Sequence, residues 1–332
     1  MAESMQDISI DNLLGSYVIV SCLALIIYGI GAAQSYMYML NCDKDPTWLK
    51  ALVSTVALLE AVHTAFVIHI TYNFTITGFG NLEVIGKVAW SPPTAVIVEN
   101  VIVALVQGFF ISRIWLLSRE NTAMTIVLAC LLTIRIGFGL TIGSLAFVYP
   151  TWETFHNARG AMIISNFTDC LGVVVDGAIA GCLVYYFHRD WRTGRRFNAR
   201  IDWVLRWLMA YAINTGVITM IISICVMVTF VTLKMNFIFL GLNVLASKLY
   251  ANSLLGTLNA RRMLHARTLQ CGPQSISGTG ISSLAFSDPT KTVQVLPRSY
   301  VRLRQWVTWS NRSNFKCGAA RQSAPPEHHC CQ

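Results

Sequence analysis

Four ionisable residues stand deep inside apolar stretches of this chain, and their spacing brings them to one depth. Asp176 lies thirteen residues before Arg189, and Lys248 lies thirteen before Arg261. In helices of ~1.5 Å rise per residue, both groups sit roughly 20 Å from those flanking bases. His63 lies thirteen residues after Lys50, with Glu60 at i,i+3 spacing on the same face. A lysine snorkels only over the length of its stem, so Lys248 is expected to turn inward, toward Asp176 or Glu60. Asn214 and Asn252 lie nearer one end. A cluster of Glu60, His63, Asp176, Lys248, Asn214 and Asn252 has the chemistry to bind a polar ligand, relay protons or switch between helix arrangements. The same groups also suit a structural ion pair that fixes packing.

Other chemistries gain less from the residues. Glu60-x-x-His63 has the spacing of a carboxylate–histidine metal motif, yet such sites need further ligands, and a hydrogen-bonded core histidine is the plainer reading. No metal and no resident cofactor is expected. Lys248 in a seventh span stands where microbial rhodopsins hold retinal, but the acid expected one turn earlier is Val244. Retinal binding stays a minor alternative. Arg135, Glu99 and Asp169 are further charges at membrane depth. Gly-x-Ser-x-Gly elbows, phosphate loops and His-x-x-x-His pairs are absent from the sequence, so no enzyme is expected.

These side chains must be carried by membrane helices. Of the 332 residues, 54% are apolar and 12% charged, against roughly a quarter charged in soluble domains. We expect an all-α, polytopic seven-transmembrane-helix bundle with spans at 13–40, 50–73, 93–117, 122–148, 160–187, 203–231 and 237–260. A short N-terminal segment, 1–12, and a tail, 263–332, flank it. Ser91 before Pro92-Pro93, Asn121 before Thr122, and Asn236 read as N-caps. Lys and Arg concentrate in alternate loops, which puts the N-terminus outside and the C-terminus in the cytosol. Asn73-Phe74-Thr75 is a candidate glycosylation sequon on the outer side.

Several residues carry a family resemblance. Asn236-Phe237-Ile238-Phe239 and the run from Ser247-Lys248-Leu249-Tyr250 through Asn252 and Gly256 to Asn259-Ala260-Arg261 are joined by Asn214-Thr215-Gly216 and Asp176. Upstream, Tyr28-Gly29, Trp48-Leu49-Lys50 and Gln107 through Arg113 add to the pattern. Over residues 13–262 the chain resembles a large family of fungal seven-span membrane proteins designated domain of unknown function 6534. The resemblance implies a shared design that includes Asp176, Asn214, Lys248 and Asn252. It implies no particular activity.

The net charge of +9 is unevenly spread, because from Arg261 onward ten Lys/Arg face two acids. Between spans five and six, Arg189, Arg192, Arg195, Arg196 and Arg200 form a basic cytosolic face. Anionic inner-leaflet lipid is its first expected partner, at ~1 kcal/mol per basic residue, and a cytosolic signalling protein is the second. No nucleic-acid partner is expected. Residues 271–297 read as disorder, and Cys271, Cys330 and Cys331 are candidate palmitoylation sites. The leading expectation is a receptor- or sensor-like protein, placed at the plasma membrane. A small-solute or proton transporter and a non-catalytic membrane organiser are the rivals.

Overall fold

The structure, a computed structural model, describes residues 10–42, 45–118, 121–192, 199–233 and 236–270. Seven long helices form the bundle: α1 (Ile10–Leu40), α2 (Thr47–Tyr72), α4 (Ser91–Leu117), α5 (Thr122–Ala146), α7 (Arg159–Arg192), α8 (Ala199–Thr232) and α9 (Ile238–Gln270). Two short helices, α3 (Leu82–Gly86) and α6 (Trp152–Asn157), sit together at one end. Six of the long helices are apolar enough to cross a membrane over their described residues. In α8 the apolar stretch is Gly216–Thr232. Each of the seven long helices overlaps one expected span in the same order, and α9 runs on to Gln270, past the expected end at 260.

The helices follow one another around the bundle, while α4 and α9 also reach across it. Helix α9 packs on α1, α2, α4 and α8, and α4 packs on α2, α5, α7 and α9. Among the six apolar stretches, that of α9 is the least hydropathic, yet 72% of it is buried, against 22–44% in the others. The two facts belong together. A helix enclosed by protein can carry polar groups that lipid would not accept.

Small residues set the close approaches. A Cβ on Gly139 would collide with Asn100, and one on Gly143 would lie 2.6 Å from Ile97 Cγ1, so this Gly-x-x-x-Gly face of α5 seats α4 directly. The α1–α9 pair is similar, since a Cβ on Gly241 would stand 3.0 Å from Val20 and one on Gly31 3.0 Å from Asn252. These helices run in the same direction and are stitched one heptad apart. Asn252 donates to the Ile27 carbonyl at 3.1 Å, and Asn259 to the Gln34 carbonyl at 2.9 Å.

Loops close the end that bears α3 and α6. Helix α2 continues into a π-helical turn at Asn73–Thr77, Gly80 takes φ +72, and Asn81 caps α3 by accepting from Glu83 N and Val84 N. Val88 N donates to Pro150 O at 3.0 Å, which ties the α3–α4 link to the α5–α6 link. Phe74, Phe237, Trp152, Phe155 and Phe239 fill the space beneath with stacked and edge-on rings.

Two local expectations need adjusting. Asn121 and Asn236 do cap, through Met124 N at 3.4 Å and Ile238 N at 2.8 Å. Ser91 does not: the N-cap of α4 is Trp90, and Ser91 Oγ is bonded to His69 Nδ1 at 2.9 Å. The His69 imidazole outcompeted the helix end for that hydroxyl. The sequon at Asn73 falls within the π-helical turn, with Phe74 buried and the Thr75 hydroxyl donating to Thr71 O. That is not the surface loop such an acceptor calls for.

Candidate functional site

Lys248 and Tyr250 are two residues apart on α9, so they point about 200° apart around the helix. Each begins a separate polar network. The expected single cluster is therefore two clusters, with α9 between them.

On one face, Lys248 meets α2. Its ammonium lies 2.6 Å from Glu60 Oε2, 2.9 Å from Thr64 Oγ1 and 3.1 Å from His63 Nδ1. These partners use all three of its protons. The side chain is 0% exposed and that of Glu60 6%. Ser247 Oγ donates to the other Glu60 oxygen at 2.9 Å, and the Tyr28 ring centre lies 5.3 Å from the ammonium. An ammonium has no lone pair, so His63 Nδ1 must be the acceptor and the ring proton sits on Nε2. That buried N–H has no hydrogen-bond partner among the described residues.

On the opposite face, Tyr250 O–H donates to Asp176 Oδ2 on α7. Gln107 on α4 donates from Nε2 to Asp176 Oδ1 at 2.6 Å, and its Oε1 accepts from Arg135 Nη1 on α5 at 3.0 Å. This fixes the amide's orientation, because a carboxylate needs a donor and a guanidinium an acceptor. Gln107 thus separates an Arg–Asp pair by one amide. Arg135 lies over Gly172, where a Cβ would stand 3.2 Å from its Nε. Beside Asp176 a cavity of about 20 Å³, enough for one water, is lined by the polar Gln107, Tyr250, Thr219 and Ser253, by Gly216, and by the apolar Phe110, Ile179, Ala180 and Leu183.

The structure thus sorts the predicted residues. Glu60, His63 and Lys248 come together, and of the two partners open to Lys248 it takes Glu60. Asp176 belongs to the second network. Asn252 borders the first but donates to carbonyls of Lys248 and Ile27, so it joins helices rather than facing a ligand. Asn214 is exposed on α8 and joins neither network. Arg189 lies 4.6 Å over the Tyr186 ring. Arg192 and Arg200 fall on helical backbone whose side chains are outside the described residues, as are Arg195, Arg196, Cys271, Cys330 and Cys331 altogether. Among the described residues no group of three or more His, Cys, Asp and Glu side chains is placed to hold a metal. Retinal on Lys248 would displace an ammonium already enclosed by Glu60, Thr64 and His63.

Gln107 and Tyr250 are the site residues the chemistry-led reading passed over. Both are polar groups in apolar spans, which is itself the signal.

Fold and buried networks together define an integral, multi-pass membrane protein built as a seven-helix bundle. Residues 172–263 match the model of a family of unknown function, DUF6534. The match takes in Asp176, Lys248, Tyr250 and Asn252, but not Glu60 or Gln107, their partners on α2 and α4. No curated protein and no solved structure matches the chain.

Proposed function

We propose that the protein is a receptor- or sensor-like, non-enzymatic seven-helix membrane protein in which the Asp176 cavity receives the signal and the basic face Arg189–Arg200 delivers it. In this reading it sits in the plasma membrane, N-terminus outside and C-terminus in the cytosol. One observation carries the reading: the Asp176 carboxylate is shared between Gln107 of α4 and Tyr250 of α9, at a cavity that Gly216 and Thr219 of α8 also line. A change at that carboxylate alters how four helices seat on one another. The two helices joined by the basic segment, α7 and α8, are both among them. A ligand that favours one seating shifts the population toward it.

Proximity labelling from the C-terminal tail tests this, with Asp176→Asn and a variant neutralised at Arg192, Arg195 and Arg196 matched to wild type for surface abundance. The expected result is a set of cytosolic signalling proteins around the wild type, lost in the arginine variant and altered in Asp176→Asn. A neighbourhood of lipid-associated and trafficking proteins alone, the same in all three, would remove the sensor reading. Dye-reported proton or solute flux in liposomes, lost in Asp176→Asn, would replace it with transport. A second reading, a membrane organiser, is supported by the Lys248–Glu60 network, whose ammonium and carboxylate are fully engaged.

A further inference from the structure

The helix faces that carry Asp176 are polar toward one end of the bundle and apolar toward the other. On α7, Ser165, Asp169, Gly172 and Asp176 follow at spacings of four, three and four residues, which is one helical face. Gly172 seats the Arg135 side chain of α5, and Gln107 of α4 bonds both that guanidinium and Asp176. The row runs from Asp176 toward the end that bears α3 and α6, over roughly 16 Å at ~1.5 Å per residue. Two buried polar atoms along it, Ser165 Oγ and Arg135 Nε, have no hydrogen-bond partner among the described residues. Buried groups of this kind are met by ordered water.

Past Asp176 the same faces change character. Ile179 and Leu183 continue that face of α7, and Phe110 and Ile114 continue the Gln107 face of α4. All four are buried, and Phe110, Ile179 and Leu183 line the cavity itself. Such side chains offer a proton neither donor nor acceptor. Asp176 therefore has a polar approach from one end only, which is the outer end in the reading above.

We propose that the ligand of this site is the proton: Asp176 takes it up from the outer side along the Ser165–Asp169 row, and the apolar side chains beyond keep it from the cytosol. The proposal names the ligand for the cavity read above as the signal-receiving site, and it rests on that reading for what the proton does. Few other charges face Asp176. Helix α5 presents Arg135 through Gln107, α9 presents Tyr250, α7 itself carries Asp169 two turns away, and Glu99 lies two turns from Gln107 on α4. Helix α8 brings Gly216 and Thr219, which do not titrate, and Lys248 is bound to Glu60 on the far face of α9. A proton arriving through water bonds to Asp176 Oδ2, whose O–H then donates to the Tyr250 oxygen. The Tyr250 proton turns into the cavity. There Ser253 and Thr219 offer only lone pairs, because their own protons go to the Tyr250 and Gly216 carbonyls. The site loses one negative charge. The bond from Gln107 to Asp176, charge-assisted before, becomes a neutral one of about half the strength, so α4 and α7 are held together less firmly.

The test follows the C=O stretch of protonated carboxyls by infrared difference spectroscopy, on the purified full chain in nanodiscs titrated from neutral to acid pH. A band that grows with acid is expected, lost in Asp176→Asn and kept in Asp169→Asn and Glu99→Gln. Tyr250→Phe should raise the proton affinity about tenfold, because the charged carboxylate loses its hydroxyl donor. That variant keeps the assignment decisive if Asp176→Asn does not fold. Asp169→Leu should slow the rise of the band after a pH jump at least about tenfold, since it breaks the polar row. Liposomes holding the wild type should pass no protons. A band that is missing, or present and unchanged, over the pH range in which the protein stays folded would overturn the proposal. An unaltered rate in Asp169→Leu would overturn the route, and proton flux through the wild type the closed inner end. Titration of Asp176 with a tail neighbourhood indifferent to outer pH leaves the proton site and removes the sensor reading. A neighbourhood that needs Asp176, in a chain whose Asp176 band does not titrate, removes only the proton.

Discussion

Two buried acids at similar depth, Glu60 and Asp176, are treated in opposite ways by the same helix. Glu60 touches its counter-charge directly, with Lys248 at 2.6 Å and Ser247 on its second oxygen. Asp176 is held off from Arg135 by a neutral amide and faces a cavity. Direct contact lets each charge compensate the other's lost hydration, leaving little for a third party to do. Separation leaves a carboxylate with spare lone pairs. The comparison gives one face of α9 a directly paired ion pair and the other a carboxylate held apart from its counter-charge.

The sharpest way to break the comparison is Glu60→Leu, which strands an ammonium in the core. A cost of about 3–5 kcal/mol is expected, seen as loss of monodisperse protein in fluorescence-detected size exclusion. Adding Lys248→Met should restore most of it, because removing both charges is tolerated far better than removing one. No recovery would mean that the network does more than balance charge.

Asp176→Asn should cost less, about 1–2 kcal/mol, since the amide still accepts from Tyr250. Its effect belongs instead in the tail-labelling readout. A loss as large as that of Glu60→Leu would erase the distinction between the two faces. Smaller again are Asn252→Leu and Asn259→Leu, the α1–α9 stitches, at about 0.6 kcal/mol each. Tm of the single and double variants would show whether the two add, as sites a heptad apart should.

The smallest effect is expected at Glu83, exposed in α3 and paired with Lys87 at 2.9 Å. The hydrogen bond and charge of Lys87 hold its carboxyl below the usual range. Any contribution is present above the unfolded-state pKa and fades as pH falls through the depressed one. Glu83→Gln should leave Tm unchanged at neutral pH in ordinary salt.

Much of this was legible in the residues themselves. The length and polarity of each span, the caps at Asn121 and Asn236, and the inward turn of Lys248 follow from local composition. The family match over residues 172–263 agrees with the motif read around Lys248. The division into two networks was not legible. Asp176 and Glu60 stand at similar depth, and depth along a helix says nothing about its rotation or neighbours. Asn214 shows the same limit: an amide in an apolar span reads as inward-facing, but on α8 it is exposed. Ser91 shows it locally, because its hydroxyl went to a histidine 22 positions earlier in the chain rather than to its own helix end.

The sequence by itself determined that this chain is a multi-pass bundle carrying charges at mid-depth, because apolar length is summed residue by residue along each span. Only the tertiary structure decided which acid meets Lys248, that Gln107 and Tyr250 hold Asp176, and that a cavity remains beside it. Those outcomes depend on how helices rotate and how closely they approach. Glycines such as Gly139, Gly143, Gly31 and Gly241 set that approach only once a neighbouring helix is against them.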